Sequence, residues 1–184
     1  MKPVFIAIAL ACATALSLPA AQAHATIETP EAKTEAAELA EQARKHMRKV
    51  FRKKQLDNGA FLWREGYESN PIDRVVIGLE DQMAYAYSGG ELVAVSTISS
   101  GKAETPTPTG IFPVLEKRRK YFSRKYDNAP MPFMQRIDKW GIALHGGHLP
   151  GYPASHGCVR FPHGFAEKLF AATKVEGSVI YIGA

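Results

Sequence analysis

Apolar positions recur with two different periods along this chain, and the first period is helical. Between Thr29 and Phe51 apolar residues return at helical spacing, with Thr29 as the expected N-cap and Pro30 at the first helical position. The predicted apolar stripe consists of Leu39, Ala43, Met47, Val50 and Phe51. We expect the turn residues 57–59 to end this segment and the stripe to pack on the rest of the protein rather than on a partner.

From Arg74 onwards the period changes to two, which is typical of β-strands. Strands are predicted over residues 75–79, 83–87, 92–98, 111–115, 140–145 and 179–182, with a short helix over 165–172. The first three form an antiparallel meander, which favours a sandwich or a barrel. In the strand over 140–145, Trp140, Ile142 and Leu144 are expected to face the core. Residues 116–135 are predicted to be a long loop or flap.

The first 23 residues have the pattern of a secretory signal peptide. Lys2 precedes an apolar run over residues 4–18, and Ala21-Gln22-Ala23 forms a small-x-small cleavage site. The run is shorter than the ~20 residues of a spanning helix, and lipid attachment through Cys12 is the weaker alternative. We therefore predict export to the periplasm or cell envelope, with contact to the membrane only through the export signal.

The charge is basic and unevenly distributed. The chain has a formal net charge of +5, and removal of Lys2 with the signal peptide leaves 5 − 1 = +4. One basic cluster spans residues 44–54 and another spans 117–125. Solvated surface explains either cluster, and export argues against nucleic acid as a partner. Anionic wall polymer or lipid headgroups are the partners that such a charge would attract.

Removal of the signal peptide leaves Cys158 as the single cysteine of the mature chain. A lone thiol in an oxidising compartment is either a buried side chain without a chemical role or a reactive group. A thiol attacks as thiolate and needs a base, which His145 is able to supply. The amides around Gly157 are candidate oxyanion donors, and Arg160 is a candidate for gripping a carboxylate.

Five segments of the chain form a pattern that is specific in combination. The most specific are Leu144-His145-Gly146-Gly147 and Ser155-His156-Gly157-Cys158-Val159-Arg160. The others are the hairpin over residues 76–85, the segment from Ser99 through Thr107-Pro108-Thr109-Gly110 to Phe112, and the strand over 177–182. Together these segments resemble the L,D-transpeptidase catalytic domain family (YkuD-like), in which they occur in the same order. The resemblance covers roughly residues 73 to 183.

The resemblance implies a mainly β fold, a β-sandwich with a short C-terminal helix, here preceded by a helical N-terminal extension. The resemblance, taken together with the signal-peptide and helical patterns that precede it, predicts domains at 1–23 (signal peptide), 24–71 (extension) and 72–184 (catalytic). It also implies a cysteine enzyme without a cofactor or metal, in which Cys158 attacks a peptidoglycan tetrapeptide stem, releases D-alanine and forms a thioester. The acceptor is then a second stem, giving a 3→3 cross-link, or a lysine of an envelope protein.

The site residues implied by the resemblance differ in role. Cys158 is the nucleophile and His145 the proton donor and acceptor. Residues that shape the site or its oxyanion pocket are Gly157, His156 and Ser155. Candidates for substrate binding are Arg160, Gly146 and Tyr152.

Other functions remain open at this stage. With water as acceptor, the same fold acts as a carboxypeptidase or an endopeptidase. A non-catalytic wall-binding module would leave Cys158 without a role. A metal site formed by His145, His148, His156 and Cys158 is disfavoured by its spacing. A papain-like peptidase is disfavoured because His145 precedes Cys158.

Overall fold

The computed structural model describes residues 26–184, and the predicted signal peptide lies outside the described residues. Helix α1 (Pro30–Val50) begins as predicted, because the Thr29 side chain accepts a hydrogen bond from the Ala32 amide at 3.3 Å. Its C-cap is Phe51, and Arg52 follows in the left-handed region with a φ of 56°. The helix thus ends before the turn at residues 57–59.

The buried face of α1 differs from the predicted stripe. Its buried residues are Ala32, Ala36, Ala40, Ala43 and Met47. Val50, which was predicted to belong to the stripe, is 40% exposed. Alanine contributes little hydrophobicity to a sequence pattern, but its small side chain lets a helix lie close to its neighbour. The stripe is therefore defined by size more than by hydrophobicity.

Ten strands in two sheets form the rest of the described chain, together with a helix α2 (His163–Ala172). One sheet contains β1 (Phe61–Trp63), β2 (Arg74–Gly78), β3 (Met83–Ser88), β4 (Glu91–Thr97), β5 (Gly110–Pro113) and β10 (Val179–Gly183). The other contains β6 (Glu116–Arg118), β7 (Met134–Arg136), β8 (Ala143–Gly146) and β9 (Val159–Phe161). The spatial orders are β1-β4-β3-β2-β10-β5 and β6-β7-β8-β9.

The pairing confirms the predicted meander, since β2, β3 and β4 are antiparallel neighbours. Two parallel pairs complete the fold. β10 lies parallel to β2, and β8 lies parallel to β9. Both sheets are therefore mixed. In the second parallel pair, β8 contains His145 and β9 begins directly after Cys158.

The main core lies between the two sheets and beneath α2, where Ile77 and Phe165 are fully buried. A second apolar cluster lies between the six-stranded sheet and α1, where Val76 packs with Met47. The six-stranded sheet is thus covered on both faces, so Val75 and the three residues that follow it in β2 are all buried. This arrangement confirms the predicted β-sandwich with helices at its N- and C-terminal ends.

The predicted strand over residues 140–145 requires a correction. β8 begins only at Ala143, and Trp140 is 76% exposed instead of facing the core. The cause is local, because the Asp138 side chain accepts hydrogen bonds from the amides of Trp140 (2.9 Å) and Ile142 (2.8 Å). These bonds fold residues 138–142 into a turn, so the strand starts after it.

The segment over residues 116–135, predicted as a loop, contains β6 and β7 and is a long hairpin. Backbone hydrogen bonds continue the pairing beyond the strands, from Phe133 to Arg119, from Met131 to Tyr121 and from Ser123 to Ala129. We call residues 119–133 the hairpin extension. The sequence pattern does not predict this pairing, because basic and aromatic residues replace the usual alternation of apolar and polar positions.

Residues 26–71 also contact the six-stranded sheet, through α1 and through the pairing of β1 with β4. The predicted division at residue 72 stays a prediction. Neither helix of the described chain combines the length and the apolarity that crossing a membrane requires.

Gly183 determines how closely β10 and α1 approach. A Cβ added there would lie 2.5 Å from the Ala36 carbonyl oxygen and 2.7 Å from the Ala37 Cα, so the helix backbone would have to move. We expect Gly183→Ala to lower the free energy of unfolding by about 1–3 kcal/mol, measured by urea denaturation. Gly164→Ala is the matched control, since its Cβ would make ordinary contacts at 3.4 Å with Phe61. Equal stability of the two variants would contradict this packing.

Candidate active site

The parallel pair β8–β9 brings His145 and Cys158 into one cavity. His145 lies on β8 opposite Arg160 of β9, and Cys158 is the residue that precedes β9. Both line a cavity of about 650 Å³ between the second sheet and the hairpin extension. The two residues that the sequence predicts to react therefore share one accessible space.

His145 is held in one tautomer. Its Nδ1 lies 2.8 Å from the Gly146 carbonyl oxygen, which accepts hydrogen bonds only, so Nδ1 carries the proton and Nε2 the lone pair. The ring is buried, with 7% of its surface exposed. This burial lowers the pKa of His145 to about 4, while the Gly146 bond acts in the opposite direction. At neutral pH the imidazole is therefore uncharged and able to accept a proton at Nε2.

Cys158 is also uncharged at neutral pH. Burial raises the pKa of its thiol, a backbone hydrogen bond from Ala143 lowers it, and the charges of Asp138 and Arg160 act in opposite directions. The Sγ atom lies 3.9 Å from the Gly141 carbonyl oxygen and is partly exposed. A protonated thiol needs a base at the moment of attack, and a neutral imidazole is such a base.

The loop before Cys158 is fixed by a hydroxyl on each side. Ser155 Oγ donates to the Cys158 carbonyl oxygen and accepts from the Gly157 amide at 3.1 Å. Thr107 Oγ1 donates to the Gly157 carbonyl oxygen at 2.9 Å and accepts from the Gly101 amide at 2.8 Å. The Gly157 amide is thus engaged within the loop instead of being free for an oxyanion. Thr107, to which the sequence analysis assigned no role, therefore holds the loop that carries Cys158 against the segment at Gly101.

Glycine is favoured at position 157 by its backbone conformation and by the close approach of a neighbouring side chain. Its φ of 108° lies in the left-handed region, and a Cβ there would lie 2.7 Å from Ile142 Cδ1. The loop therefore packs directly on the turn that precedes β8. This contact couples the placement of Cys158 to the turn over residues 138–142.

Asp138 organises that turn, and sequence reasoning did not identify it. Its side chain is buried and accepts the two amide hydrogen bonds described above. Its carbonyl oxygen accepts from Arg136 Nη1 at 2.8 Å, and Arg136 Nε donates to Glu116 at 3.0 Å. The sequence contained a signal for this turn, because an Asp shortly before a Gly commonly caps a turn with its own side chain.

We expect two substitutions of Asp138 to separate its charge from its hydrogen bonds. Asp138→Asn keeps an acceptor oxygen but removes the charge that raises the pKa of Cys158, so alkylation by iodoacetamide should reach its half-maximal rate at a lower pH. Asp138→Ala leaves two buried amides without a partner and should cost about 1–3 kcal/mol of stability. A wild-type alkylation profile for the first and wild-type stability for the second would contradict this role.

Of the three residues predicted to bind substrate, two line the cavity of Cys158 and one does not. Gly146 lines the cavity and holds the tautomer of His145. Arg160 also lines it, and its guanidinium has no carboxylate partner among residues 26–184. Tyr152 is 62% exposed and does not line this cavity; its carbonyl oxygen accepts from Ser99 Oγ at 2.8 Å. The structure therefore brings Arg160 to Cys158 but not Tyr152.

His156 stacks on Tyr126 of the hairpin extension, with ring centroids 4.3 Å apart and planes at 15°. Both rings line the main cavity and also a second cavity of about 250 Å³ on the side of Trp140. Cys158 lines both cavities as well. The stacked pair therefore lies between two approaches to the same thiol.

The metal hypothesis finds no support in the geometry. Within the described part of the chain, no group of three or more His, Cys, Asp or Glu side chains is arranged to hold a metal ion. His148 and His163 line the main cavity without joining such a group.

Comparisons with known proteins agree on one family. The sequence model of the L,D-transpeptidase catalytic domain matches residues 72–182. No curated protein matches the chain. Among solved structures, an L,D-transpeptidase from Xylanimonas cellulosilytica is 28% identical, with a TM-score of 0.55, covering 62% of this chain and 61% of its own.

Two further structures show the same fold. An L,D-transpeptidase from Mycobacterium tuberculosis H37Rv is 23% identical, with a TM-score of 0.57, covering 61% of this chain and 57% of its own. One from Enterococcus faecium is 25% identical, with a TM-score of 0.53, covering 61% of this chain and 50% of its own. The chain thus spans less than two thirds of the length of each of these three structures. By the match over residues 72–182, the chain belongs to the L,D-transpeptidase catalytic domain family.

Proposed function

We propose that this protein is an exported L,D-transpeptidase that acts on the tetrapeptide stems of peptidoglycan through a thioester on Cys158. The observation that carries the proposal is the pairing, in one cavity, of the only described cysteine with a buried, uncharged histidine. Membership of the family supplies the substrate class. The predicted signal peptide supports a location in the periplasm or cell envelope.

The first half of the reaction follows from the protonation states. Cys158 Sγ passes its proton to His145 Nε2 and attacks the carbonyl carbon before the terminal D-alanine. The tetrahedral intermediate collapses, the C–N bond breaks, and Nε2 returns the proton to the leaving amine of D-alanine. A thioester between the tripeptide stem and Cys158 remains.

In the second half of the reaction, Cys158 changes from nucleophile to leaving group. An acceptor amine attacks the thioester, its proton goes to His145 Nε2, and the C–S bond breaks. The new amide leaves, and Nε2 returns the proton to Cys158 Sγ. No external oxidant, reductant or cofactor is needed for this balance.

The oxyanion of the tetrahedral intermediate needs a donor other than the Gly157 amide, because that amide already donates to Ser155 Oγ. The amide of Cys158 itself is our candidate, because it is the next donor along the loop. Arg160 offers a guanidinium without a carboxylate partner in the described chain, so it is the candidate for binding a carboxylate of the stem.

Transfer needs room for two substrates, and the two cavities that meet at Cys158 supply it. This observation favours transfer over simple hydrolysis. A stem amine gives a 3→3 cross-link, and a lysine of an envelope protein gives an attached protein. Hydrolysis of the same thioester, which makes the protein a carboxypeptidase, is the second candidate.

The test is incubation with purified tetrapeptide muropeptides, followed by mass spectrometry of the products. Loss of D-alanine together with dimers linked 3→3 is the expected result. Tripeptides without dimers would favour hydrolysis or a missing protein acceptor. Unchanged muropeptides would contradict the proposal and leave the wall-binding module as the better hypothesis.

A further inference from the structure

Five cations lie at and just beyond the C-terminal end of α1, and we call them the basic end: Arg48, Lys49, Arg52, Lys53 and Lys54. All five are exposed. None of them forms an ion pair within residues 26–184. Their neighbours differ, since Arg44 pairs with Glu80 at 2.8 Å and Lys45 pairs with Glu41 at 3.1 Å. The charge of α1 is therefore compensated along the helix and left uncompensated at its end.

The five charges of the basic end exceed the net charge of the predicted mature chain. Without Lys2 the chain has 22 Lys and Arg against 18 Asp and Glu, a net charge of +4, and 22 − 5 = 17 cations remain against 18 acids outside the basic end. Stabilisation of the helix dipole explains cations in the last turn, such as Arg48 and Lys49. It does not explain residues 52–54, which follow the helix, where like charges repel one another.

The position of the basic end is fixed with respect to the fold. Ala43 and Met47 are buried against the sheet, so the last turns of α1 cannot rotate freely. The chain then runs to Asn58, whose Nδ2 donates to the Leu149 carbonyl oxygen at 2.9 Å. Leu149 directly follows Gly147 and His148, which line the cavity of Cys158. The segment that follows the basic end is therefore attached, through Asn58, to the loop that leaves the cavity of Cys158.

We propose that the basic end binds the free carboxylates of the peptidoglycan polymer and holds the enzyme on its substrate beside the active-site rim. The identity of this polymer rests on the proposed function. Clustered cations attract such a polyanion strongly at low salt and weakly at high salt. An anionic membrane is the weaker partner, because interfacial binding uses an apolar face and Val50 is the one large apolar side chain exposed in the basic end and its flanks, residues 48–56.

The experiment compares two variants of equal charge by co-sedimentation with sacculi freed of protein and phosphate polymers. One replaces Arg48, Lys49, Arg52 and Lys53 with Gln. The control replaces four other exposed lysines with Gln, namely Lys33, Lys120, Lys168 and Lys174. We expect at least about tenfold weaker binding for the first variant and wild-type binding for the control.

Three further readouts define the partner. Wild-type binding should fall with added salt and with sacculi whose carboxylates have been amidated, while turnover of soluble tetrapeptides by the basic-end variant stays at the wild-type rate. Equal loss in both variants, unchanged binding of the basic-end variant, or binding to phosphatidylglycerol vesicles but not to sacculi would overturn the proposal. Carboxylate-dependent binding by a wild-type protein that turns over no tetrapeptide would instead refute the proposed function and leave this inference standing.

Discussion

Replacement of Cys158 by alanine is expected to reduce release of D-alanine from tetrapeptide stems by on the order of 10⁴-fold or more. The reason is that no other described cysteine exists to form the thioester. The remaining cavity still binds substrate but cannot split the transfer into two steps. Release of D-alanine, followed by mass spectrometry over time, measures the effect.

The control for this substitution is stability. Cys158 is partly exposed, so loss of its sulfur should leave the unfolding midpoint close to that of the wild type. A carbapenem such as meropenem gives a second readout, since its strained β-lactam carbonyl is open to attack by a nucleophilic thiol. An adduct on the wild type but not on Cys158→Ala is expected. Turnover that survives in a folded Cys158→Ala variant would contradict the mechanism.

Replacement of His145 by glutamine is expected to lower the rate at neutral pH by about 10²–10⁴-fold. Glutamine keeps a donor for the Gly146 carbonyl oxygen but has no basic nitrogen. The thiol must then ionise unaided, and burial raises its pKa above the ordinary value. The rate of this variant should therefore climb through the alkaline range as the thiolate forms.

The wild type should show a different pH profile. The pKa of His145 is lowered to about 4, so the ring is protonated and inactive as a base only below that pH. The rate should fall as the pH drops through about 4 and change little between pH 5 and 7. An acid limb near the ordinary histidine pKa of about 6.5, or a variant whose rate does not rise with pH, would contradict the assigned roles.

Local signals predicted much of the fold. The cap at Thr29 and the meander of β2, β3 and β4 both follow from short stretches of sequence. Such stretches carry their own signal, because a capping side chain or a period of two acts within a few residues.

The features that the sequence did not reveal depend on contacts between distant segments. Thr107 supports Gly157 across 50 positions, and Tyr126 stacks on His156 from the hairpin extension. The alanine face of α1 is visible only once the sheet it packs on is known. The exposure of Trp140 depends on a side-chain bond from Asp138 that competes with the strand pattern.

The central claim is that Cys158 carries the tripeptide stem as a thioester, and trapping that species tests it most directly. The protein would be mixed with a tetrapeptide donor without an acceptor, quenched in acid and analysed by intact mass and peptide mapping. We predict an added mass equal to the donor less D-alanine, located on the peptide that contains Cys158 and absent from Cys158→Ala. Release of D-alanine with no covalent adduct, or an adduct on another residue, would contradict the account.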